Sequence, residues 1–435
     1  MSSPRPRDRF ATVVLTVIAF ALRALFAWRV PAMPAWDGVL YERGGQAIAR
    51  GLGYSTFMFV HRSSDTVATA FYPVGYPAFL GTLYRITGPN VHVLQYAGCV
   101  VSALTVAFTH RLAFRFVPGW PARLAALALA LLPGQIVFAE AAMTEPLFGL
   151  LLVAAVYALV RRDEGPRALD GVITGLLLAA ATYVRPQAIL LAPLLPLMRH
   201  GALKRTQWKR TFAIAAIASA IALGAVVPWT MRNCVRLGAC AFVSTNGGSN
   251  LAIGAVPRAN GRYLALNADD GCRGVAGEVA RDHCWRDVAW RSVRAAPRRW
   301  LQLAFVKLDH TVSYESFPIG YLRESGAIVV SDTQERTFRR AITAPWRVLV
   351  ALAALALIPI GVRRRLDFAA RASLLTALTM LATHLLFFGG DRYHLPLTSF
   401  VAVLAAGAFR DLPSWRLRRT RMLLTRSRDV TAYAP

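Results

Sequence analysis

Charged residues are scarce in this chain of 435 residues, at 17% of the total, and acidic residues are the scarcer kind. Ordinary soluble domains carry about 25% charged residues. Hydrophobic residues make up 55% of the chain, and they occur in long runs along its whole length. A soluble enzyme, a disordered chain and a small disulfide-stapled domain are therefore excluded. The composition predicts a protein that crosses the membrane several times.

Lysine is almost missing, because Lys204, Lys209 and Lys307 are the only lysines among 50 basic residues. With 23 acidic residues the formal net charge is +27, and such an excess is typical of proteins that bind nucleic acid or anionic membrane surfaces. Here the arginines lie between apolar runs and do not form one stripe. Membrane topology explains them better, and no nucleic-acid partner is expected.

Motifs for nucleotides and zinc are also missing from the sequence. Gly247-Gly248 is not followed by the lysine that opens a helix in nucleotide-binding loops, and there is no paired-histidine zinc motif. A divalent cation is the one cofactor left open, and no cluster of ligands identifies its site.

Ten apolar segments are candidates for membrane spans, each of which needs about 20 residues. They are residues 10–28, 91–110, 121–138, 146–160, 168–184, 187–198, 211–228, 346–361, 371–389 and 395–410. Basic clusters lie at alternate ends of these segments: Arg5, Arg7 and Arg9; Arg111, Arg115 and Arg123; Arg161 and Arg162; Arg199, Lys204, Arg205, Lys209 and Arg210; Arg363 to Arg365; and Arg416, Arg418, Arg419 and Arg421. With ten spans every cluster falls on one side, which the positive-inside rule makes the cytoplasm. The sequence therefore predicts a multi-pass inner (plasma) membrane protein with both termini in the cytoplasm.

Two large loops, residues 29–90 and 229–345, then lie on the outer face. The chain divides accordingly into an N-terminal transmembrane module (1–228), an outer loop region (229–345), and C-terminal helices with a basic tail (346–435). Within the second loop we expect short helices near 275–295 and 298–308.

Four of the five cysteines, Cys234, Cys240, Cys272 and Cys284, lie in the second outer loop, while Cys99 lies in a span. An outer compartment favours disulfides. We expect Cys272–Cys284 and Cys234–Cys240, with free thiols as the alternative. A metal site is disfavoured because no second ligand pair accompanies His283 and Cys284.

The first outer loop contains an acid and an aromatic motif. Asp37 follows the first span and precedes an amphipathic helix through Arg50; it is a candidate general base or cation ligand, or else a helix N-cap. Tyr72 and Tyr76, in Phe71-Tyr72-Pro73-Val74-Gly75-Tyr76-Pro77, either anchor the chain at the interface or line a site for a lipid with a polar head.

Further charged residues lie beside apolar spans, where they are costly and often functional. Glu145 is a candidate for chemistry or for stabilising the positive end of a helix, and Glu140 lies in the same short loop. Arg185, Arg232 and Arg392 lie where the charge rule disfavours arginine. They indicate binding of an anion such as phosphate, with snorkelling to lipid headgroups as the alternative.

An ordered series of motifs runs from Asp37 to Pro396: Trp36-Asp37 with Tyr41, Tyr72-Pro73-Val74-Gly75-Tyr76-Pro77, Thr144-Glu145-Pro146, Arg185-Pro186, Pro228-Trp229-Thr230-Met231-Arg232-Asn233, Asn246-Gly247-Gly248-Ser249-Asn250-Leu251, Gly261-Arg262-Tyr263 and Asp391-Arg392-Tyr393-His394-Leu395-Pro396. This order resembles the glycosyltransferase C (GT-C) superfamily. It is most similar to bacterial relatives of protein O-mannosyltransferases and of lipid A aminoarabinose transferases. The first loop departs from many relatives, since it carries the single acid Asp37 where an Asp-Glu pair is common.

The resemblance implies an all-α GT-C-like bundle of about ten transmembrane helices with two large outer loops. It also implies a hexosyl- or pentosyltransferase that uses a polyprenyl-phosphate sugar donor at the outer face, with a lipid, glycan or protein acceptor. Asp37 and Glu145 match the family's acidic positions. The arginines Arg185, Arg232 and Arg392 would bind the donor phosphate, together with the tyrosines Tyr41, Tyr72, Tyr76 and Tyr393. Some members bind a divalent cation near the acidic pair.

Three rival functions fit the sequence less well. A flippase for lipid-linked sugars would also be basic and polytopic, but its usual internal symmetry is missing. A non-catalytic assembly subunit leaves the acids and outer arginines without a purpose. A ligase that uses a lipid diphosphate would differ in the lipid it releases.

Overall fold

The computed structural model describes residues 6–60, 66–162, 164–199, 205–363 and 366–410. In these ranges the structure is helical and has no β-strand, although Ser55 and Ala68 form an isolated bridge. The α-helices are α1 (Pro6–Arg29), α2 (Asp37–Ala49), α3 (Phe57–Val60), α4 (Gly75–Thr87), α5 (Val91–Phe116), α6 (Trp120–Leu131), α7 (Pro133–Glu140), α8 (Glu145–Val160), α9 (Ala168–Val184), α10 (Leu191–Leu197), α11 (Arg205–Leu237), α12 (Gly247–Ile253), α13 (Glu278–Ala295), α14 (Pro297–Val312), α15 (Phe317–Glu324), α16 (Asp332–Arg363), α17 (Phe368–Leu386) and α18 (Thr398–Ala406). The predicted all-α fold is confirmed.

Five helices in the described ranges are long and apolar enough to cross a membrane, or six if the bent pair α6 and α7 is one span. The apolar helices α8 and α9 and the segment 186–197 are shorter. These helices identify an integral membrane protein, but the predicted number of ten spans is not confirmed. Of the basic residues used to orient the spans, Arg5, Lys204, Arg364, Arg365, Arg416, Arg418, Arg419 and Arg421 lie outside the described residues.

The predicted span 121–138 is broken into α6 and α7, which meet at an angle of 53°. Pro133 begins α7 and cannot donate a backbone hydrogen bond, so helix α6 ends before it. Arg23 of α1 is only 1% exposed and donates to the carbonyl oxygens of Leu129 (3.2 Å) and Ala130 (3.0 Å). A buried arginine therefore satisfies the carbonyl groups that the break leaves without helical partners.

Helix α8 lies at the centre of the bundle, where it packs against α5 and α9, and α9 in turn packs against α11. The largest cluster of buried apolar side chains includes Leu152 of α8, Leu178 of α9, Phe400 of α18 and Trp346 of α16. After Glu145 the sequence of α8 carries no charged residue and is almost entirely apolar, which is typical of a helix that is surrounded by others. Because α8 begins at Glu145, this rigid core holds that acid in place.

Helices also pass through both boundaries of the predicted outer loop region 229–345. Helix α11 continues to Leu237, and α16 begins at Asp332. Between them α13 and α14 occupy the places where short helices are predicted. The structure pairs Cys234 with Cys240 and Cys272 with Cys284, the two pairings that we expect from the sequence. Cys99 is free and buried.

Candidate active site

Asp37 is the first residue of α2, and the carboxylate does not cap that helix. The N-cap position belongs to Trp36, which has φ 50° and ψ −126°. Residues other than glycine rarely adopt a positive φ, and such strain is concentrated at functional sites. The Trp36 ring packs against Phe317 at 5.0 Å and Tyr321 at 5.9 Å between centroids. These contacts hold the strained turn, and the Asp37 carboxylate is free for other partners.

Asp37 accepts two hydrogen bonds from distant parts of the chain. The Tyr72 hydroxyl donates to Oδ1 at 2.9 Å, and Nη1 of Arg392 donates to Oδ2 at 2.9 Å. Burial would raise the pKa of Asp37, but the charge of Arg392 and these hydrogen bonds outweigh it, so the pKa lies below its ordinary value. Asp37 is therefore an ionised, ion-paired carboxylate in this structure.

Gly38 lets α2 approach the loop that precedes Glu145. A Cβ atom on Gly38 would lie 2.9 Å from the carbonyl oxygen of Ala142. Any side chain there would push the two segments apart. The glycine after Asp37, which departs from the acidic pair of many relatives, thus has a packing role here.

Arg392 lies in a 3-10 helix over Asp391–Leu397 that is fixed to the start of α15. The Asp391 carboxylate accepts hydrogen bonds from the backbone N–H and hydroxyl of Ser316 and from the backbone N–H of Phe317. The Arg392 guanidinium lies over the rings of Phe317 (5.3 Å) and Tyr393 (5.2 Å). Cation–π contacts and an anchored neighbour therefore preorganise this arginine.

Glu145 connects Arg392 to a second arginine. Its Oε1 atom lies 2.5 Å from Nη2 of Arg185 and 3.7 Å from Nε of Arg392, and the side chain is only 1% exposed. Arg185 also donates to the hydroxyl of Thr144 at 3.0 Å and lies 5.5 Å from the centre of the Tyr393 ring. Four side chains thus lie in a row with alternating charge: Asp37, Arg392, Glu145 and Arg185. We call this row the charge chain. Sequence reasoning singled out all four.

The predicted tyrosines surround the Asp37 end of the charge chain. The Tyr41 ring lies 5.1 Å from that of Tyr72 and 5.7 Å from that of Tyr76. Burial and the nearby Asp37 charge raise the pKa of both Tyr41 and Tyr72. These phenols stay protonated, so they act as hydrogen-bond donors and as apolar walls.

Arg232, in contrast, lies apart from the charge chain. Its guanidinium donates to the carbonyl oxygens of Thr69 and Tyr54, each at 2.7 Å, and lies 4.6 Å from the Trp229 ring centre. These contacts fix the segment that contains Tyr54 and Thr69 against α11. Phosphate binding by Arg232 stays a prediction without support from its contacts. Glu140 is also separate, and its carboxylate accepts from the backbone N–H of Ala32 at 3.2 Å.

Sequence reasoning missed Tyr321, which ties together the two acidic segments. Its buried hydroxyl accepts hydrogen bonds from the backbone N–H groups of Ala35 (3.2 Å) and Ala142 (3.1 Å). One bond fixes the turn before Asp37, and the other fixes the loop before Glu145. No local motif marks this role, since the partners are 286 and 179 residues away.

Lys307 of α14 is a second residue that was missed. This fully buried side chain donates to the carbonyl oxygens of Leu385 (3.2 Å) and Leu386 (3.4 Å) at the end of α17. Burial lowers its pKa to about 8. Its own carbonyl oxygen packs so closely on Gly389 that a Cβ there would lie 2.1 Å away. Lys307 therefore positions the segment that leads to Arg392.

A cavity of about 1320 Å³ is lined by Asp37 and Arg392, the two members at one end of the charge chain. It is larger than ligand pockets of about 300–1,000 Å³. Its lining combines both charges with aromatic rings and includes Trp36, Asp37, Phe317, Arg392 and Tyr393. The cavity therefore has room for a large substrate next to Asp37 and Arg392.

The described residues contain no group of three or more His, Cys, Asp or Glu side chains that could hold a metal ion. Asp37 and Glu145 are each paired with an arginine, at 2.9 Å and 2.5 Å. An arginine already neutralises each acid, and no third ligand lies beside them in the described residues, so Asp37 and Glu145 do not fit a divalent-cation site.

One part of the chain is similar in sequence to a known protein family. Residues 72–231 match the family model described as dolichyl-phosphate-mannose-protein mannosyltransferase. No curated protein sequence matches the chain significantly. The matched segment includes Tyr72, Tyr76, Glu145 and Arg185, while Asp37 and Arg392 lie outside it.

Solved structures extend the similarity to almost the whole chain. The oligosaccharyltransferase AglB from Archaeoglobus fulgidus, in complex with an inhibitory peptide and a dolichol-phosphate, superposes with a TM-score of 0.56 at 13% identity over 99% of this chain. The apo form of the A. fulgidus oligosaccharyltransferase gives a TM-score of 0.57 at 13% identity over 95% of this chain. This chain spans about half of those proteins, since 52% of each is covered. ArnT from Cupriavidus metallidurans bound to undecaprenyl phosphate gives a TM-score of 0.40 at 14% identity, with 91% of this chain and 77% of ArnT covered.

At these identities the superpositions show a shared fold and nothing more. The fold is that of GT-C glycosyltransferases, and the family model is also from that class. The resemblance predicted from the sequence is therefore confirmed: the chain is GT-C-like in fold, and residues 72–231 match the mannosyltransferase family model.

Proposed function

We propose that the chain is a membrane glycosyltransferase that moves a hexosyl or pentosyl group from a polyprenyl-phosphate donor to an acceptor hydroxyl. The charge chain, whose members Asp37 and Arg392 line the large cavity, is the observation that carries this proposal. It places a carboxylate within 2.9 Å of a guanidinium, so a base and an anion-binding group share one site. Transfer from a lipid phosphate needs both groups.

The donor phosphate would bind at Arg392 and Arg185. Guanidinium groups recognise phosphate oxygens through paired hydrogen bonds. Both arginines lie against the ring of Tyr393, at 5.2 Å and 5.5 Å, so they converge on one place. The dolichol-phosphate bound to AglB supports a lipid phosphate as the donor type.

Asp37 would act as the general base. A carboxylate with a depressed pKa is a weak base, and Arg392 holds Asp37 in that state before the donor binds. A donor phosphate that pairs with Arg392 draws positive charge away from Asp37, so the pKa of Asp37 rises when the donor is bound. The enzyme would therefore become a stronger base only in the complex.

In the transfer step the acceptor hydroxyl gives its proton to Asp37 while its oxygen forms a bond to the anomeric carbon of the sugar. The bond from that carbon to the phosphate oxygen breaks, and the electron pair stays on the phosphate. Arg392 and Arg185 stabilise this charge in a partly buried site, where such interactions are strong. A single displacement inverts the configuration at the sugar.

The reaction would take place at the outer face of the membrane. The distribution of basic residues along the sequence supports that orientation, with the termini in the cytoplasm. The two disulfides support it further, because Cys234, Cys240, Cys272 and Cys284 all lie in the region assigned to the outer face.

The test uses purified protein in lipid nanodiscs, a panel of radiolabelled polyprenyl-phosphate sugars and envelope extract. Wild type is compared with Asp37→Asn and with Asp287→Asn, a matched change at an exposed acid. We expect label to move to an acceptor with wild type and Asp287→Asn only. If no donor gives transfer although the lipid-linked sugar binds, the proposal is wrong and the result favours the alternative, a flippase for lipid-linked sugars.

A further inference from the structure

A second group of arginines lines the same cavity. Of the lining arginines other than Arg392, Arg339 is paired with Glu335. The remaining three, Arg262, Arg340 and Arg347, form no ion pair with any carboxylate in the described part of the chain, and we call them the second basic group. Unpaired positive charges around a cavity indicate a binding site for an anion.

Two members of the second basic group lie on one face of α16. Arg340, Thr343, Ala344 and Arg347 follow the i, i+3, i+4, i+7 spacing of a helix face, and all four line the cavity. Nε of Arg347 donates to the carbonyl oxygen of Ser313 at 2.9 Å, which fixes its guanidinium. The small side chains between the two arginines leave room for a ligand. This face of α16 therefore points at the cavity.

The third member belongs to another segment. Arg262, in the Gly261-Arg262-Tyr263 motif, donates from Nε to Nε2 of His310 at 2.9 Å. Burial and the charge of Arg262 lower the pKa of His310, so the imidazole stays neutral near pH 7. The charge of Arg262 also lowers the pKa of Asp309, but Arg262 forms no ion pair among the described residues and lines the cavity.

The acids that line the cavity do not neutralise the second basic group. Asp37 is paired with Arg392 at 2.9 Å, and Asp391 accepts its hydrogen bonds from Ser316 and Phe317. The leaving phosphate of the proposed reaction belongs at Arg392 and Arg185. An anion at the second basic group is therefore a different group of the bound substrates.

We propose that the second basic group binds a phosphate or carboxylate of the acceptor, so that the acceptor is an anionic molecule. The volume of about 1320 Å³ gives room for an acceptor beside the donor sugar. The assignment to the acceptor rests on the proposed transferase function, while the anion site itself does not. Two separate measurements therefore test the two parts.

The first measurement is binding of radiolabelled inorganic phosphate to the protein in phosphatidylcholine nanodiscs, where no anionic lipid competes. We expect the Arg340→Gln/Arg347→Gln variant to bind phosphate at least about tenfold more weakly than wild type, because it loses charge-assisted hydrogen bonds. Arg336→Gln is the matched control, one turn earlier on α16 and outside the cavity lining. Equal binding by the double variant, or no binding by wild type, overturns the anion site.

The second measurement is the charge of the labelled product on an anion exchanger at pH 7. The proposal predicts that the product is retained and that the apparent KM for the acceptor rises at least about tenfold in Arg340→Gln/Arg347→Gln, with the donor KM unchanged. A neutral product overturns the proposal, and release of a lipid diphosphate would then assign the second anion to the donor. If no transfer occurs at all, the proposed function fails, and the phosphate-binding result still decides the anion site.

Discussion

Nη1 of Arg392 lies 2.9 Å from Oδ2 of Asp37, although 355 residues separate them in the chain. The same guanidinium has its Nε 3.7 Å from Oε1 of Glu145. One cation therefore serves two carboxylates from different helices. A phosphate that binds Arg392 must compete with both acids, and this competition couples donor binding to the state of Asp37.

The first prediction concerns the pair itself. We expect Arg392→Gln to lower kcat/KM by about 10²–10³, as loss of a group that stabilises developing charge does. Asp37→Asn should also lower it strongly. Because both residues act in one ion pair, the double variant should fall by much less than the product of the single effects.

The measurement is a double-mutant cycle on kcat/KM in nanodiscs. The control cycle uses the exposed neighbours Arg286 and Asp287, whose ion pair is 3.2 Å long. Effects at Arg392 and Asp37 that simply multiply would contradict a shared role.

The second prediction concerns pH. The folded-state pKa of Asp37 is depressed, so the ion pair stabilises the protein above the ordinary pKa of about 3.9 and this contribution is lost as the pH falls through the folded value. The pH profile of kcat/KM reports the free enzyme, and the apparent pKa of its acid limb should lie below that ordinary pKa. The apparent pKa of the acid limb of kcat should be higher, because bound phosphate pairs with Arg392 and weakens the ion pair between Arg392 and Asp37.

Both limbs are read from one set of rate measurements at varied pH and donor concentration. In Asp37→Asn these limbs should disappear from the residual activity. Acid limbs at the same pH for kcat and kcat/KM in wild type would contradict the competition for Arg392.

The third prediction concerns Glu145. Replacing it by Gln leaves Arg185 and Arg392 without their shared acid, and breaking a buried pair by removing one partner costs about 3–5 kcal/mol. Its side chain is 1% exposed, against 81% for Glu164, whose pair with Arg167 lies at the surface. Thermal unfolding should show a large loss of stability for Glu145→Gln and almost none for Glu164→Gln.

A second change distinguishes charge from packing in that result. Glu145→Gln/Arg185→Gln removes one of the uncompensated charges, so it should recover part of the lost stability. A double variant that is less stable than Glu145→Gln would show that packing, and not charge balance, decides the effect.

The fourth prediction concerns Tyr321 as a positioning residue. Tyr321→Phe removes the acceptor for the backbone N–H groups of Ala35 and Ala142, which should cost about 1–3 kcal/mol for each donor left buried. Asp37 and Glu145 should then lose their relative position, so kcat falls while the donor KM changes little.

The matched control is Tyr84→Phe. The Tyr84 hydroxyl is buried and has no hydrogen-bond partner among the described residues, so its removal should be neutral or stabilising. Thermal unfolding and kcat of the two variants are compared side by side. Equal effects of the two changes would show that the Tyr321 hydroxyl has no special role.

Much of the fold could be predicted because apolar length decides where helices lie. The predicted segment 168–184 has the same bounds as α9, and the segment 91–110 lies within α5. Helix ends were harder to predict. Helices α11 and α16 continue beyond the apolar stretch into polar sequence, where hydropathy carries no signal. The carbonyl groups at the Pro133 bend are satisfied by Arg23, which comes from another helix.

The charge chain could be predicted in part for a similar reason. Asp37, Glu145, Arg185 and Arg392 are costly beside apolar spans, so position alone marked them. Tyr321 and Lys307 could not be found in this way, since their roles arise from contacts with residues far along the chain. Arg232 has the same sequence signal as Arg392, yet its partners are the carbonyl oxygens of Thr69 and Tyr54.

The transfer of radiolabelled sugar from a polyprenyl-phosphate donor to an acceptor in envelope extract tests the central claim most directly. The protein is assayed in nanodiscs as wild type, Asp37→Asn, Arg392→Gln and Asp287→Asn. The account predicts transfer by wild type and Asp287→Asn, and at least about a hundredfold less by the two site variants. Transfer at the wild-type rate by Asp37→Asn and Arg392→Gln would contradict it.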